Sequence, residues 1–377
     1  MAKTILILGA SYVGLSVAHS YSLLKNTLKN NRDDYKVVLV SPTTHHYWNM
    51  ASVRAIVPGQ FPDEKLFASI SDGLDKYGDL VDFVIGIATQ LDTSSKTVAI
   101  STADGEKQLH YEILVIATGS RAKSKEELPW HSSLSGYEAS KQTLHKFQEA
   151  VKNAKTIALG GGGPTGVETA GELGYEYGKD KEISIITSSS KLLLDGTPAM
   201  SSTADAELRK LHVKIIYNTK ITDARTTTNG QTELTLSDGS TKTVDLYLPT
   251  VGSIANTDFV PEKYLNENKH IMVDDFFRVK GAPEVWAAGD VTDLEPSQYV
   301  YAEKQVPVLV NNLSMVIDGK EPTAYKPGPA ILGVTLGRCK ATGRLGPIRL
   351  PSIVLWYAKG RTLGTQDLQP LVSGRKF

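Results

Sequence analysis

An α/β protein with two Rossmann-like units, the second inserted in the first, and a small C-terminal α+β unit is what the sequence predicts. Two pairs of observations carry that expectation. Two short apolar runs each end in a glycine-rich turn and open into a helical pattern. They are Ile5-Leu6-Ile7-Leu8-Gly9-Ala10-Ser11-Tyr12-Val13-Gly14 and Thr156-Ile157-Ala158-Leu159-Gly160-Gly161-Gly162-Gly163-Pro164-Thr165-Gly166. Two further runs end in small residues: Leu114-Val115-Ile116-Ala117-Thr118-Gly119-Ser120 and Val285-Trp286-Ala287-Ala288-Gly289-Asp290. Their order along the chain places the second glycine turn between strands that belong with the first. The expected boundaries are 1–122 with 251–324 for the first unit, 123–250 for the second and 325–377 for the third.

Each element follows from its pattern. The helix after Gly14 carries Leu15, Val17 and Ala18 at helical spacing, and residues 36–40 make the second strand, ending at Ser41-Pro42. Residues 81–87 and 97–100 read as strands, and Glu112 to Ala117 reads as a buried strand. A linker and amphipathic helix over 121–155 deliver the chain to the second unit. There a helix runs to about Tyr177, strands cover 183–187 and 213–217, and a hairpin turns at Asp238-Gly239. A helix over 299–317 follows Asp290, and Tyr325-Lys326-Pro327-Gly328 opens the last unit.

Composition excludes several classes of function. The chain's 377 residues are long enough for two or three cores. Lys plus Arg and Asp plus Glu each number 41, so the net charge is zero and no basic footprint for nucleic acid exists. No apolar run is long enough to span a bilayer. The first strand follows directly on Met1-Ala2-Lys3, so no targeting peptide is expected and a cytoplasmic location is read, with attachment to a membrane or mitochondrion left open. One cysteine, Cys339, is present. A lone thiol makes neither an intramolecular disulfide nor an iron–sulfur cluster. No metal site is assigned.

A glycine turn between a strand and a helix binds a dinucleotide because it bends tightly, lets the backbone approach a pyrophosphate and aims a helix N-terminus at it. In the first turn Gly9 and Gly14 have those roles, while Ser11 stands where glycine is usual. Ser41 stands where an acid would bind ribose, so its hydroxyl is the candidate ribose contact, and Arg54 is a candidate for the pyrophosphate. In the second turn Gly161, Gly163 and Gly166 hold the required spacing, with Glu168 expected in the first turn of the following helix. The following strand ends in Thr187-Ser188-Ser189-Ser190-Lys191, again without an acid, so NADPH is expected to be tolerated alongside NADH. Two dinucleotides in one chain imply electron transfer between them.

The order of glycine turn, Ala-Thr-Gly-Ser, second glycine turn and Ala-Gly-Asp resembles the FAD/NAD(P)-dependent pyridine nucleotide-disulfide oxidoreductase superfamily, with its glutathione-reductase-type domains. His45-His46 with Ala51-Ser52-Val53-Arg54-Ala55, and Ala324-Tyr325-Lys326-Pro327-Gly328, are similar to its apoptosis-inducing-factor-like branch. That branch includes ferroptosis suppressor proteins and is related to type II NADH:quinone oxidoreductases. The resemblance implies FAD contacts at Gly9, Ala10, Ser11, Gly14, Arg54, Val84, Ala117, Thr118, Gly119 and Asp290. It implies nicotinamide-cofactor contacts at Gly161, Gly163, Thr165, Gly166, Glu168 and Gly252.

The expected activity is hydride transfer from NADH or NADPH to FAD, then two-electron transfer to an acceptor. The lone cysteine removes the dithiol that disulfide reduction needs, which leaves a quinone or oxygen, and the resemblance favours a quinone. Glu168 is expected to position the nicotinamide. Tyr301, Lys304 and Gln305 are expected to approach the open face of the flavin, and His45 and His46 are candidate proton donors near neutral pH. Residues 353–357 suggest an apolar face for a membrane or for a homodimer. The alternatives are a reductase of a small electron-carrier protein and a slow-turnover signalling flavoprotein that senses NAD(P)H.

Overall fold

The computed structural model describes residues 3–27, 35–124 and 126–376, without the side chains of 21–27. Met1 and Ala2, read above for targeting signals, lie outside the described residues.

The first apolar runs build one sheet. Its strands stand in the order Arg278–Val279, Ala282–Ala287, Ile113–Ile116, Lys3–Leu8, Tyr35–Ser41 and Val81–Ile85, with the first pair antiparallel and all others parallel. Ile5, Leu6, Ile7 and Leu114, Val115, Ile116 are fully buried, because a parallel sheet covered on both faces needs apolar side chains in both directions. The strand Ala282–Ala287 returns from far along the chain to lie beside Ile113–Ile116.

Between those two strands in sequence lies a second parallel sheet, ordered Val213–Ile216, Glu182–Ile186, Thr156–Gly160 and Leu246–Pro249. The two passages between the sheets pair with each other: Ser120–Ala122 runs antiparallel to Ser253–Ala255. Short antiparallel meanders follow the core strands of both units, over 87–110 and 221–244. The strand ends differ from expectation by one to three residues, the largest being Ala282–Ala287, which starts before Val285.

The C-terminal unit is a three-stranded antiparallel sheet, Ile331–Thr335, Ala341–Leu345 and Ile348–Arg349, followed by short helices. Leu355 is buried, while Ile353, Val354 and Tyr357 are exposed. No helix among the described residues is long and apolar enough to cross a membrane.

Candidate active site

Both glycine turns sit at the C-terminal ends of the central strands of their sheets, where ligands bind in open α/β folds. Gly9 has φ +100°, and a Cβ on it would lie 2.3 Å from the carbonyl oxygen of Ala117. A Cβ on Gly14 would meet the Gly9 carbonyl oxygen. The second turn repeats the arrangement: Gly161 has φ +123°, and a Cβ on Gly166 would lie 2.2 Å from the Gly161 carbonyl oxygen. Gly163 differs. A Cβ there meets nothing within 4 Å, so its glycine leaves open space at the N-terminus of the helix Pro164–Tyr177.

The first unit carries donors and acceptors suited to a flavin dinucleotide. Asp290 is held by the Ser120 hydroxyl at 2.9 Å, and burial pushes its carboxyl above the ordinary range. Gly289 donates its N–H to the Gln305 side-chain oxygen at 2.8 Å, and Gln305 donates its amide to Glu295. Gln305 therefore braces the Gly289-Asp290 turn with both ends of its amide. Thr118 donates its hydroxyl to the Asn256 carbonyl, and Asn256 donates back to the Thr118 carbonyl, fixing the turn at Gly119. Ser41 is buried, and its hydroxyl accepts the Thr43 N–H at 3.2 Å. Val84 is half-buried, paired in register with Val40. Ala10 and Ala117 are buried, and the Ser11 carbonyl accepts the first helical N–H, from Leu15.

Behind this turn the Tyr12 ring meets His46, Trp48 and Tyr299 edge-on, with centroids 4.9, 5.3 and 4.9 Å away. His46 is 1% exposed, and neither ring nitrogen has a well-formed hydrogen bond. An orphaned polar ring beside the Ala10 backbone, with the glycine cradle and the Asp290 carboxyl, fits a bound dinucleotide that would supply the missing partner.

Burial also corrects the expectation that His46 donates protons near neutral pH. It pushes His46 down to about 3, against the Ala10 backbone, so the ring is neutral throughout the physiological range. His45 is lowered as well, mainly by burial, and stacks on Tyr137 at 3.8 Å. His19 is fully buried, accepts from the Tyr77 hydroxyl and donates to the Val372 carbonyl, and burial lowers it to about 4. Native His19 and His46 thus stay neutral while the unfolded chain protonates below its ordinary value near 6.5. Their contribution to stability is complete above pH 6.5 and is lost as pH falls from there toward 4. A melting series should show about 2–3 kcal/mol lost per histidine by pH 4.5, with a shallower slope in His46→Gln. An unchanged slope in that variant would refute the assignment.

Arg54 is used differently from the sequence reading. It is buried and bonds Glu172 through Nε at 2.9 Å and Nη2 at 2.8 Å, while Nη2 and Nη1 also donate to the carbonyls of Gly360 and Arg361. Its charge is committed to a carboxylate on the helix Pro164–Tyr177 and to the C-terminal unit, not to a pyrophosphate.

Glu168 lies on the same helix and is 5% exposed. One carboxylate oxygen accepts the Thr335 N–H at 2.9 Å, the Thr335 hydroxyl at 3.3 Å and Lys359 Nζ at 2.6 Å. Lys359 also donates to the Gly333 carbonyl. Neither Thr335 nor Lys359 stood out in the sequence, since they lie 167 and 191 residues from Glu168 and belong to no local motif. Lys304 is half-buried, with Nζ 5.8 Å from the centre of the Tyr301 ring.

A cavity of about 680 Å³ joins the two units. It is lined by Gly161, Gly162 and Gly163, by Val251, Gly252, Gln298 and Tyr301, and by Ile331 and Leu332 of the C-terminal sheet. Gly252 has φ +98° with nothing where its Cβ would be. Thr165 is half-buried in the first turn of the helix beside this cavity.

Comparisons with known proteins identify the family and the fold. Residues 3–306 match the family model described as pyridine nucleotide-disulphide oxidoreductase. The chain is 42% identical over 374 residues to oxidoreductase ptaL of Pestalotiopsis fici, covering 99% of each. It is 25% identical to ferroptosis suppressor protein 1 of Xenopus tropicalis, over 95% of this chain and 93% of that one. The sulfide:quinone oxidoreductase of Aquifex aeolicus superposes with a TM-score of 0.78 at 20% identity, over 99% and 92% of the two chains. FAD, with NADH or NADPH, is the cofactor set of this group, and the likeness lies in its apoptosis-inducing-factor-like branch. The chain belongs to the pyridine nucleotide-disulphide oxidoreductase family and is an NAD(P)H-dependent flavin oxidoreductase.

Proposed function

We propose that this oxidoreductase passes the two electrons it takes from NADH or NADPH to a quinone-type acceptor. One observation narrows the acceptor by removing disulfides from it. The sequence holds a single cysteine, Cys339, which is exposed and has no second thiol to form a redox dithiol. A sulfide:quinone oxidoreductase among the structural neighbours supports the same reading.

Bound FAD supplies the redox centre that accepts a hydride and gives up electrons. The protein's share is to bind, orient and exclude water. Gly9, Gly14 and Asp290 would hold the flavin dinucleotide, with Gln305 positioning the Asp290 turn. Gly161, Gly163, Gly166 and Gly252 would admit NAD(P)H. Glu168 is held by Thr335 and Lys359 at the junction with the C-terminal unit, which suits it to position the nicotinamide. Lys359 donates two of its three N–H groups, to Glu168 and Gly333. The third has no partner among the described residues and would donate to an acceptor oxygen that gains charge.

Anaerobic titration with NADH should bleach the flavin absorbance, and a benzoquinone should restore it faster than oxygen does. Lys359→Met should slow quinone-dependent reoxidation about a hundred-fold with flavin content retained. Slow reoxidation by every small acceptor would favour the signalling alternative. A flavin that NAD(P)H does not bleach would end the proposal.

A further inference from the structure

The part of the cavity lined from the end of the strand Glu182–Ile186 has its own chemistry. The strand Glu182–Ile186 runs into Thr187, whose hydroxyl accepts the Ser189 N–H and turns the chain back. A second segment is laced alongside: Thr219 donates its N–H to the Thr187 carbonyl at 2.9 Å, and Asn218 to the Ser189 carbonyl at 3.1 Å. This lacing brings Lys220 to the same cavity that Ser188, Ser189 and Lys191 line.

Neither Lys191 nor Lys220 has an ion-pair or hydrogen-bond partner for its ammonium group among the described residues. Arg344 adds a third cation to the lining, with Nε buried and unpartnered. Asp195 is the one carboxylate in the lining. An acid at the end of this strand would accept both ribose hydroxyls of NADH and repel a phosphate; here hydroxyls and unpaired ammonium groups take its place.

We infer that this subsite selects the 2′-phosphate of NADPH, so that the chain prefers NADPH over NADH, with Lys191 and Lys220 as the discriminating charges and Ser188 as a hydroxyl donor. The inference rests on the proposed hydride transfer from NAD(P)H and names which nucleotide that site takes. Two ammonium groups facing a dianion form charge-assisted hydrogen bonds, whereas facing a ribose hydroxyl they offer only neutral ones. Loss of one such bond corresponds to about ten-fold or more in affinity.

Calorimetric titration of the purified flavoprotein with 2′,5′-ADP and with 5′-ADP reads the subsite without turnover. The expected result is at least ten-fold tighter binding of 2′,5′-ADP, reduced about ten-fold by Lys191→Ala and by Lys220→Ala while 5′-ADP binding moves little. Ser188→Asp should invert the preference. Melting curves show that each variant is folded. Equal binding of both ligands by the wild-type protein, binding of neither, or a preference that survives both lysine substitutions overturns the inference. Flavin bleaching by saturating NADH and NADPH separates the two levels. Bleaching by both with equal half-saturation refutes only the selectivity, and bleaching by neither refutes the hydride-transfer reading beneath it.

Discussion

Glu172→Leu should lower the unfolding free energy by about 3–5 kcal/mol, the cost of leaving a buried charge without its partner. Arg54 and Glu172 side chains are 6% and 0% exposed, and they meet through two hydrogen bonds of 2.8 and 2.9 Å. Arg338 Nε, 3.6 Å from the same carboxylate, is a second cation that cannot compensate Arg54; it is partly exposed and keeps Glu176 at 2.6 Å, so its own loss is small. Removing Glu172 strands the guanidinium between the helix Pro164–Tyr177 and the carbonyls of Gly360 and Arg361. The double variant Arg54→Met with Glu172→Leu should regain most of the loss, because an apolar pair of similar volume has no desolvation cost to offset. Thermal melts of the singles and the double check this. A double variant less stable than Glu172→Leu alone would show that the pair is not what holds the junction. The same series separates two roles for Arg54. If it served a pyrophosphate, Arg54→Met would shed flavin with no loss of stability in the apoprotein.

Gly9→Val should abolish flavin binding and destabilise the first unit by about 3 kcal/mol or more. Two costs add. The backbone at φ +100° is one that side chains with a Cβ adopt only under strain, and the new carbon would sit 2.3 Å from the Ala117 carbonyl oxygen, a backbone atom with no freedom to move. Both central strands of the sheet would have to part. Gly163→Ala is the informative contrast. Its φ is −77° and nothing lies within 4 Å of the added carbon, so the fold should be untouched. The carbon would instead occupy space that a nucleotide needs, which should raise the KM for NAD(P)H about ten-fold or more at unchanged flavin content. Flavin absorbance per protein, melting temperature and KM distinguish the two. A Gly9→Val protein that keeps its flavin would remove the main support for the first cradle.

Legibility in the sequence followed locality. Each glycine turn joins a strand and a helix that are adjacent in the chain, and Gly14 and Gly166 each pack on the carbonyl of a glycine five residues earlier, although Gly9 also answers to the distant Ala117 carbonyl. Glycine spacing therefore reported the turns directly. That the run from Val285 belongs with the first unit was readable as well, since it and Ile113–Ile116 are both apolar and end in small residues. Side-chain roles were less readable. Arg54 read as a phosphate ligand because its partner, Glu172, lies 118 residues away on a helix of the other unit. His46 read as a proton donor because nothing in His45-His46 announces that one ring faces Tyr137 and the other is sealed among Tyr12 and Trp48. Gln305 read as a group facing the flavin, yet its amide is spent on Gly289 and Glu295.

Taken alone, the amino-acid order determined the two nucleotide turns, the interrupted first sheet and the absence of a dithiol. All three depend on backbone stereochemistry or on counting one residue type. Tertiary structure decided which charges are neutralised and which stay available: Arg54 closed on Glu172, Lys359 on Glu168, and Lys191 with Lys220 unpaired among the described residues beside the cavity. That division follows from range. A glycine's conformational freedom acts on its own bonds, whereas desolvation and ion pairing depend on which distant segments the folded chain packs against a group.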